Sequence, residues 1–161
     1  MLDQRDILAN IDKFIYDLFD YAIFYKASDI HIEAEESYGR VRLRIDGKLD
    51  EILRITRKNY EMLVSKLKLL ANMDISEHRR PQDENLKLVA YPNVDFRVSV
   101  IGTINSEKLV IRILSLGEFK ENANLLGFSE KSKNILEKTL KNRSGMIIFS
   151  GPTGSGKSTS L

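Results

Sequence analysis

The chain has 161 residues, of which 42% are hydrophobic and 30% are charged, with a net charge of +2 and no cysteine. This composition is typical of a soluble globular chain that contains one domain, or one domain and part of another. The near-neutral charge gives no argument for a nucleic-acid partner, the lack of cysteine excludes disulfides and thiolate metal sites, and no apolar run approaches the roughly 18 residues of a membrane span.

The first predicted element is a single helix over residues 5–26, with Asp3 as a possible N-cap. Its apolar residues recur at intervals of three and four: Leu8, Ile11, Ile15, Leu18 and Ala22. From Ser28 the period changes to two, which predicts a strand with a wet face. Ile30 and Ile32 lie on one side of it, and Asp29, His31 and Glu33 lie on the other. We favour a solvated or salt-bridged polar face over a metal site.

A β-hairpin is predicted next, because Asp46-Gly47 supplies a two-residue turn between two alternating runs. The first run has Val41, Leu43 and Ile45 on one face and Arg40, Arg42 and Arg44 on the other. The return strand covers residues 48–55. Three arginines on one face could hold phosphates or nucleic acid, but no aromatic residues are interleaved with them, so ion pairs with nearby acids are favoured.

A second helix is predicted over residues 58–72 from one apolar stripe, formed by Tyr60, Leu63, Val64, Leu67, Leu70 and Ala71. A polar stretch over 78–83 follows, stiffened at Pro81. Three further strands are predicted at 86–91, 94–100 and 108–114. The turn residues Pro92-Asn93 separate the first two of them.

The last two of these strands place two arginines opposite each other. If the hairpin between them is centred on Ile104-Asn105, residues whose numbers sum to 209 are paired, and Arg97 pairs with Arg112. Like charges in that position cost a few tenths to about 1 kcal/mol, which a chain tolerates more readily when an anion lies between them. The alternative is neutralisation by acids such as Glu33 or Asp95.

A domain boundary is predicted over residues 115–124, where periodicity is lost and Gly and charged residues increase. A third helix is expected to begin after Ser129 as N-cap and to bury Ile135, Leu136 and Leu140. The apolar run over 146–149 then predicts a buried parallel strand.

The strongest motif follows directly, since residues 151–158 match G-x-x-x-x-G-K-[ST] at every fixed position. Such a phosphate-binding loop (P-loop) turns backbone N–H groups toward an anion, and the next helix adds its positive N-terminus. Lys157 is predicted to reach the β- and γ-phosphates of ATP, and the Ser158 hydroxyl to bind Mg²⁺. The predicted nucleotide-binding residues are Gly151, Pro152, Thr153, Gly154, Ser155, Gly156, Lys157, Ser158 and Thr159. A disordered Gly/Ser-rich tail is the alternative, and it leaves the preceding apolar run unexplained.

Hydrolysis by a P-loop enzyme also needs a second acidic residue for the metal and a group that orients the attacking water. These groups normally lie well downstream of the loop, beyond Leu161. The 161 residues alone are therefore expected to be inactive.

Seven stretches together resemble one family, the secretion ATPases of type IV pilus assembly, type II secretion and competence pseudopili. They are Lys26-Ala-Ser-Asp-Ile-His-Ile32, Arg42-Leu-Arg-Ile-Asp-Gly47, Lys66-Leu-Lys-Leu-Leu-Ala-Asn-Met-Asp-Ile75, Arg79-Arg-Pro-Gln-Asp83, Asp95-Phe-Arg-Val-Ser99, Glu107-Lys-Leu-Val-Ile-Arg112 and the P-loop. Each is weak alone, but in series and in the family's order they are specific. One departure is Glu84-Asn85, where the family usually has Gly-Arg.

The resemblance implies an α/β fold. A PAS-like N-terminal domain with a mainly antiparallel sheet (1–114) and a linker (115–126) precede the first helix, strand and P-loop of a RecA-like ATPase core (127–161). It further implies a cytoplasmic homo-hexamer, peripheral to the inner face of the cytoplasmic membrane, whose partner is an inner-membrane platform protein. The family binds its nucleotide between the two domains. By motif, the arginines that reach the nucleotide phosphates are Arg97 and Arg112, which act with Lys157.

The function implied is that of an ATP-hydrolysing motor subunit for pilus, secretion or pseudopilus assembly. A non-catalytic module for subunit contacts or nucleotide sensing, with a vestigial P-loop, is the alternative. An unrelated P-loop kinase or GTPase is not supported, because neither class explains the strand-rich region before the loop.

Overall fold

The computed structural model describes residues 2–115 and 128–152. The chain divides into two compact units, Met1–Ser115 and Leu116–Leu161. Apart from Ser115, the predicted linker over 115–126 lies outside the described residues, and the domain boundaries drawn from the sequence stay a prediction.

The first unit is a six-stranded sheet with helices that pack on it. Its elements are α1 (Gln4–Ala9), α2 (Ile11–Phe24), β1 (Asp29–Ala34), β2 (Tyr38–Ile45), β3 (Lys48–Thr56), α3 (Arg57–Leu70), β4 (Gln82–Leu86), β5 (Val94–Gly102) and β6 (Glu107–Ser115). The strand order is β3-β2-β1-β6-β5-β4, and every neighbouring pair is antiparallel. The predicted α/β class with a mainly antiparallel sheet is confirmed.

One face of this sheet and the helices form a single apolar core. The strands contribute Ile30, Ile32, Val41, Leu43, Phe96, Val98, Leu109 and Ile111, and the helices contribute Phe14, Leu18, Phe19, Tyr60, Leu63 and Leu67. Phe19 and Phe96 stack with their ring centroids 4.7 Å apart. Each large apolar side chain that is fully buried stabilises the fold by about 1.5–3 kcal/mol. Together these side chains hold the sheet against the helices.

The single helix predicted over residues 5–26 is wrong, because Asn10 divides it into α1 and α2. Asn10 has an extended backbone, and its side-chain oxygen accepts a hydrogen bond from the Lys13 N–H at 3.0 Å. Asparagine caps a new helix in this way more readily than it continues an old one. As a result Ile7 is buried and Leu8 is exposed, although the predicted stripe contained Leu8. The Asp3 N-cap is confirmed by its bond from the Arg5 N–H at 2.8 Å.

The strand predicted at 86–91 is also misplaced, since β4 ends at Leu86. The Tyr91 N–H donates to the Leu88 carbonyl at 2.9 Å, and the Val94 N–H donates to the Tyr91 carbonyl at 3.1 Å. These bonds close two successive turns, and the second turn ends at Val94, the first residue of β5. Instead, β4 pairs with β5 largely through the polar residues 82–85. These residues do not alternate between apolar and polar, so the sequence pattern did not predict the strand.

The predicted hairpin between β2 and β3 is confirmed. Asp46 and Gly47 have φ values of 48° and 81°, as a two-residue turn with a left-handed backbone requires. The register of β2 and β3 shifts between Val41 and Arg42, a bulge that the alternation pattern did not indicate.

The second unit contains α4 (Glu130–Leu140), with Ser129 as its confirmed N-cap. Ile135, Leu136 and Leu140 were predicted to be buried, but Ile135 and Leu140 are 59% and 65% exposed and Leu136 is only half-buried. The predicted strand over 146–149 is not formed, as this segment pairs with none of the described residues. Burial and strand pairing both require a partner surface, and within residues 128–152 Ile147 and Phe149 share only a shallow apolar cavity with α4. Among the described helices, none is long and apolar enough to cross a membrane.

Gly39 permits the close approach of β2 to α3. A Cβ atom at this position would lie 2.5 Å from the Tyr60 Cβ and 2.9 Å from the Ile55 Cγ1. We expect Gly39→Ala to lower the free energy of unfolding by about 1–3 kcal/mol, because the backbone must shift to relieve the overlap. Chemical denaturation measures this against Ser37→Ala, an exposed change nearby that is expected to cost at most about 0.5 kcal/mol. Equal stability of the two variants would contradict the prediction.

Candidate functional site

Three rows of side chains cross the strands on the face of the sheet opposite the core. Following the pairing register, the first row is Asn85, Arg97, Arg112, Asp29, Arg44 and Leu49. The second row is Asp83, Ser99, Val110, His31, Arg42 and Glu51. The third row is Ile101, Lys108, Glu33, Arg40 and Arg54. Alternation along each strand thus brings eleven charged residues, which the sequence distributes between Asp29 and Arg112, onto one face of the sheet.

Arg97 and Arg112 lie directly opposite each other in the β5–β6 register, as the spacing predicted. Their side chains are 58% and 63% exposed, and both line a shallow cavity with Asp83, Ser99 and Val110. Two guanidinium groups that share one accessible face form a suitable donor set for a phosphate, which accepts several charge-assisted hydrogen bonds.

Each of these arginines has a carboxylate partner. The Arg112 Nε lies 3.1 Å from Asp29 Oδ1, and the Arg97 Nε lies 3.9 Å from Asp83 Oδ1. The sequence analysis named Glu33 and Asp95 as the acids that could neutralise this pair, and both assignments are wrong. Glu33 pairs with Arg40, Arg42 and Lys108, whereas Asp95 lies opposite Leu114 in the ladder.

The polar side of β1 is buried rather than wet, because the longer side chains of β2 and β6 cover it. Asp29, His31 and Glu33 are only 6–8% exposed. The arginine triplet of β2 supplies the ion pairs that were favoured over an anion site: Arg40 and Arg42 contact Glu33, and Arg44 contacts Asp29. Within the described part of the chain, no group of three acidic or histidine side chains could hold a metal ion.

Burial and ion pairing set the charge states of β1. For Asp29 and Glu33 burial opposes ionisation, but hydrogen bonds outweigh it and hold the pKa of both carboxyls below the usual values. Those bonds come from Ser28 and Arg112 to Asp29, and from Lys108 and Arg42 to Glu33. Burial, reinforced by the charge of Lys108, lowers the pKa of His31. The two carboxylates are thus charged at neutral pH, and His31 is neutral.

A second charged cluster, which the sequence analysis missed, lies where α3 meets the start of β6. The Lys68 Nζ is 1% exposed and lies 2.8 Å from Glu107 Oε1 and 2.7 Å from the Glu77 carbonyl. The other carboxylate oxygen of Glu107 lies 2.9 Å from His78 Nδ1. One signal was present, because Lys68 falls four residues after Val64 and three before Ala71, on the buried stripe of the helix.

Most of the predicted nucleotide-binding residues lie outside the described residues. Gly151 and Pro152 are described, whereas Thr153, Gly154, Ser155, Gly156, Lys157, Ser158 and Thr159 are not. The roles of Lys157 in phosphate binding and of Ser158 in metal binding therefore stay predictions.

Of the two residues that depart from the family pattern, Asn85 lies on the same face as the arginine pair and Glu84 lies on the other face. Asn85 lies opposite Arg97, at the exposed end of the first row, and Glu84 lies opposite Val98. The chain thus carries an amide where the family pattern usually places a third arginine, so two arginines rather than three occupy this end of the row.

Comparison with models of known protein families identifies the family of this chain. The model of the family described as Type II/IV secretion system protein matches residues 4–161. The chain belongs to this family.

Curated relatives agree with this assignment. Type II secretion system protein E of Pectobacterium carotovorum subsp. carotovorum is 44% identical over 162 residues, which cover 100% of this chain and 32% of that protein. The type IV pilus assembly ATPase PilB of Myxococcus xanthus is 41% identical over 142 residues, which cover 87% of this chain and 25% of that protein. The chain spans about a third of the length of the protein E relatives it matches.

Solved structures show the same fold. The pilus retraction motor PilT, solved with bound ADP, aligns with a TM-score of 0.62 and 26% identity over 89% of this chain and 40% of its own. The ATPase DotB of Legionella pneumophila aligns with a TM-score of 0.60 over 91% of this chain and 39% of its own. At 20% identity the likeness to DotB shows the fold alone.

Proposed function

We propose that the whole protein is an ATP-hydrolysing motor subunit that drives assembly of a type IV pilus, a type II secretion pseudopilus or a competence pseudopilus. The observation that carries this proposal is the pairing of Arg97 with Arg112 on an accessible sheet face, in a chain of the secretion family that ends in a complete P-loop motif. The names of the relatives, which include a pilus assembly ATPase and a retraction motor solved with ADP, support it.

The nucleotide is ATP with Mg²⁺, bound by residues 151–159 of the P-loop motif. The backbone N–H groups of the loop and Lys157 bind the phosphates, and Ser158 binds the metal ion. Arg97 and Arg112 contact the phosphates of the same nucleotide, so that ATP lies between the N-terminal domain and the P-loop core. Their positive charge stabilises the negative charge that develops as water attacks the γ-phosphate.

As a motor, the protein acts as a homo-hexamer in the cytoplasm, peripheral to the inner face of the membrane. Its partner there is a platform protein of the inner membrane. Closure of the N-terminal domain on the nucleotide is the step that converts hydrolysis into movement of that partner. The subunit and partner assignments follow from the family resemblance.

The P-loop lysine provides the test of this proposal. In the full-length protein, Lys157→Ala is expected to lower Mg²⁺-dependent ATP turnover by at least about a hundredfold, because the γ-phosphate loses its principal cation. Phosphate release measures the rate, and Lys141→Ala, an exposed lysine just after α4, is the matched control. If the wild-type protein hydrolyses ATP no faster than the Lys157→Ala variant, the result would instead support a non-catalytic module with a vestigial P-loop.

A further inference from the structure

Asp29 holds Arg112 in a fixed position from the middle of the sheet. Its side chain is 8% exposed, and its Oδ1 accepts from the Arg112 Nε at 3.1 Å. Oδ2 accepts from the Ser28 hydroxyl at 2.8 Å and lies 3.3 Å from the Arg44 Nε. Both oxygens are therefore engaged on a central strand, and the orientation of this carboxylate is fixed.

The Arg112 contact uses Nε, which is the inner nitrogen of the guanidinium. A guanidinium carries five N–H donors, so a bond at Nε leaves four at the terminal nitrogens. The Arg112 side chain is 63% exposed, so it remains accessible to a ligand while Asp29 holds its Nε. Asp29 thus fixes the direction of the arginine without occupying its outer end.

Asp83 contacts Arg97 more weakly than Asp29 contacts Arg112. It lies on β4, opposite Ser99, and its Oδ1 accepts a hydrogen bond from the Ser99 hydroxyl. The same oxygen lies 3.9 Å from the Arg97 Nε, and both side chains are more than half exposed. A contact of this length in solvent orients an arginine weakly and lets it move.

We propose that Asp29 and Asp83 are positioning residues for the two phosphate-contacting arginines, with Asp29 holding Arg112 rigid and Asp83 leaving Arg97 free to adjust. This inference rests on the proposed function. The two carboxylates flank the arginine pair on opposite sides and offset part of its charge, so the guanidinium groups are held side by side before any phosphate arrives. Arginines that are already oriented avoid the cost of ordering during the reaction.

Two double-mutant cycles in the full-length protein test this inference. Asp29→Asn and Asp83→Asn are made alone and combined with Arg112→Ala and Arg97→Ala respectively, and kcat and KM for ATP are measured. Each aspartate change alone is expected to lower kcat/KM by roughly three- to thirtyfold, with the smaller loss for Asp83. In the matching arginine-to-alanine background each is expected to have no further effect, because the group through which it acts is gone.

Glu33→Gln is the matched control for Asp29→Asn. Glu33 lies on the same strand, is about as buried, and pairs with cations other than Arg97 and Arg112. We expect it to affect stability but to leave kcat/KM within about twofold of the wild type, since it holds neither arginine. Asp83 is exposed, so its cycle remains readable even if Asp29→Asn fails to fold.

The possible results separate the two proposals. Aspartate effects that are the same size with and without the arginine would show a structural role only, which overturns the inference and leaves the motor function standing. Unchanged kcat/KM in the aspartate variants, while the arginine variants lose activity, would overturn it as well. Full activity in the Arg97→Ala and Arg112→Ala variants would contradict the proposal that these arginines contact the phosphates, and the inference about the aspartates would fail with it.

Discussion

Replacement of Arg97 or Arg112 by alanine is expected to lower ATP turnover by at least tenfold in the full-length protein, with the fold intact. Both side chains lie on the surface, so their removal leaves no cavity in the core. Arginines that stabilise the transferring phosphate contribute about 10³ or more to the rate in related chemistry, so tenfold is a conservative lower limit. Steady-state phosphate release measures the change, and circular dichroism checks the fold.

Arg54→Ala is the control for this pair. Arg54 lies on the same side of the sheet, on the outer strand β3, and pairs with Glu51 at 2.6 Å. Its loss removes a positive charge of the same kind from the same face, yet it is expected to leave turnover unchanged. Near-wild-type turnover in both Arg97→Ala and Arg112→Ala would contradict the assignment of these residues.

The second large effect is expected on the stability of the fold, when Lys68 is replaced by methionine. Lys68→Met removes one partner of a buried ion pair and leaves the Glu107 carboxylate without its nearest cation. Breaking a buried pair from one side costs about 3–5 kcal/mol, because the remaining charge stays in a poorly solvated place. We expect a loss of this size in the free energy of unfolding, measured by chemical denaturation.

Lys66→Met is its matched control on the same helix. Lys66 pairs with Asp12 at 2.8 Å, but both partners reach solvent, so the loss is expected to be about 1 kcal/mol or less. Equal destabilisation by the two changes would show that the Lys68–Glu107 pair contributes no more than a surface contact.

The arginine pair could be predicted from the sequence because its geometry is local. β5 and β6 are joined by a short loop, so one assumption about the centre of the hairpin fixes every opposite pair, including Arg97 and Arg112. Strand alternation then decides the face. The P-loop was recognised from the sequence for a similar reason, since its chemistry is carried by eight consecutive residues.

The features that the sequence did not predict depend on distant partners. Asp29 contacts Arg112 across 83 positions, and no spacing rule brings β1 beside β6. The Lys68–Glu107 pair joins residues 39 positions apart, and a lysine in a helix is ordinarily solvated. The break at Asn10 was missed because apolar periodicity continues across it, and the cap depends on a choice between two local hydrogen-bonding patterns.

The two outermost strands of the sheet bear on how copies of the protein can associate. β3 carries Lys48, Asp50, Glu51 and Arg54 as exposed residues, and β4 carries Asp83 and Glu84. Charged side chains on an edge strand oppose backbone pairing with the edge of another sheet, because incoming strands would bury them. The charged edges of β3 and β4 therefore disfavour association of two copies of the protein by strand pairing between their sheets.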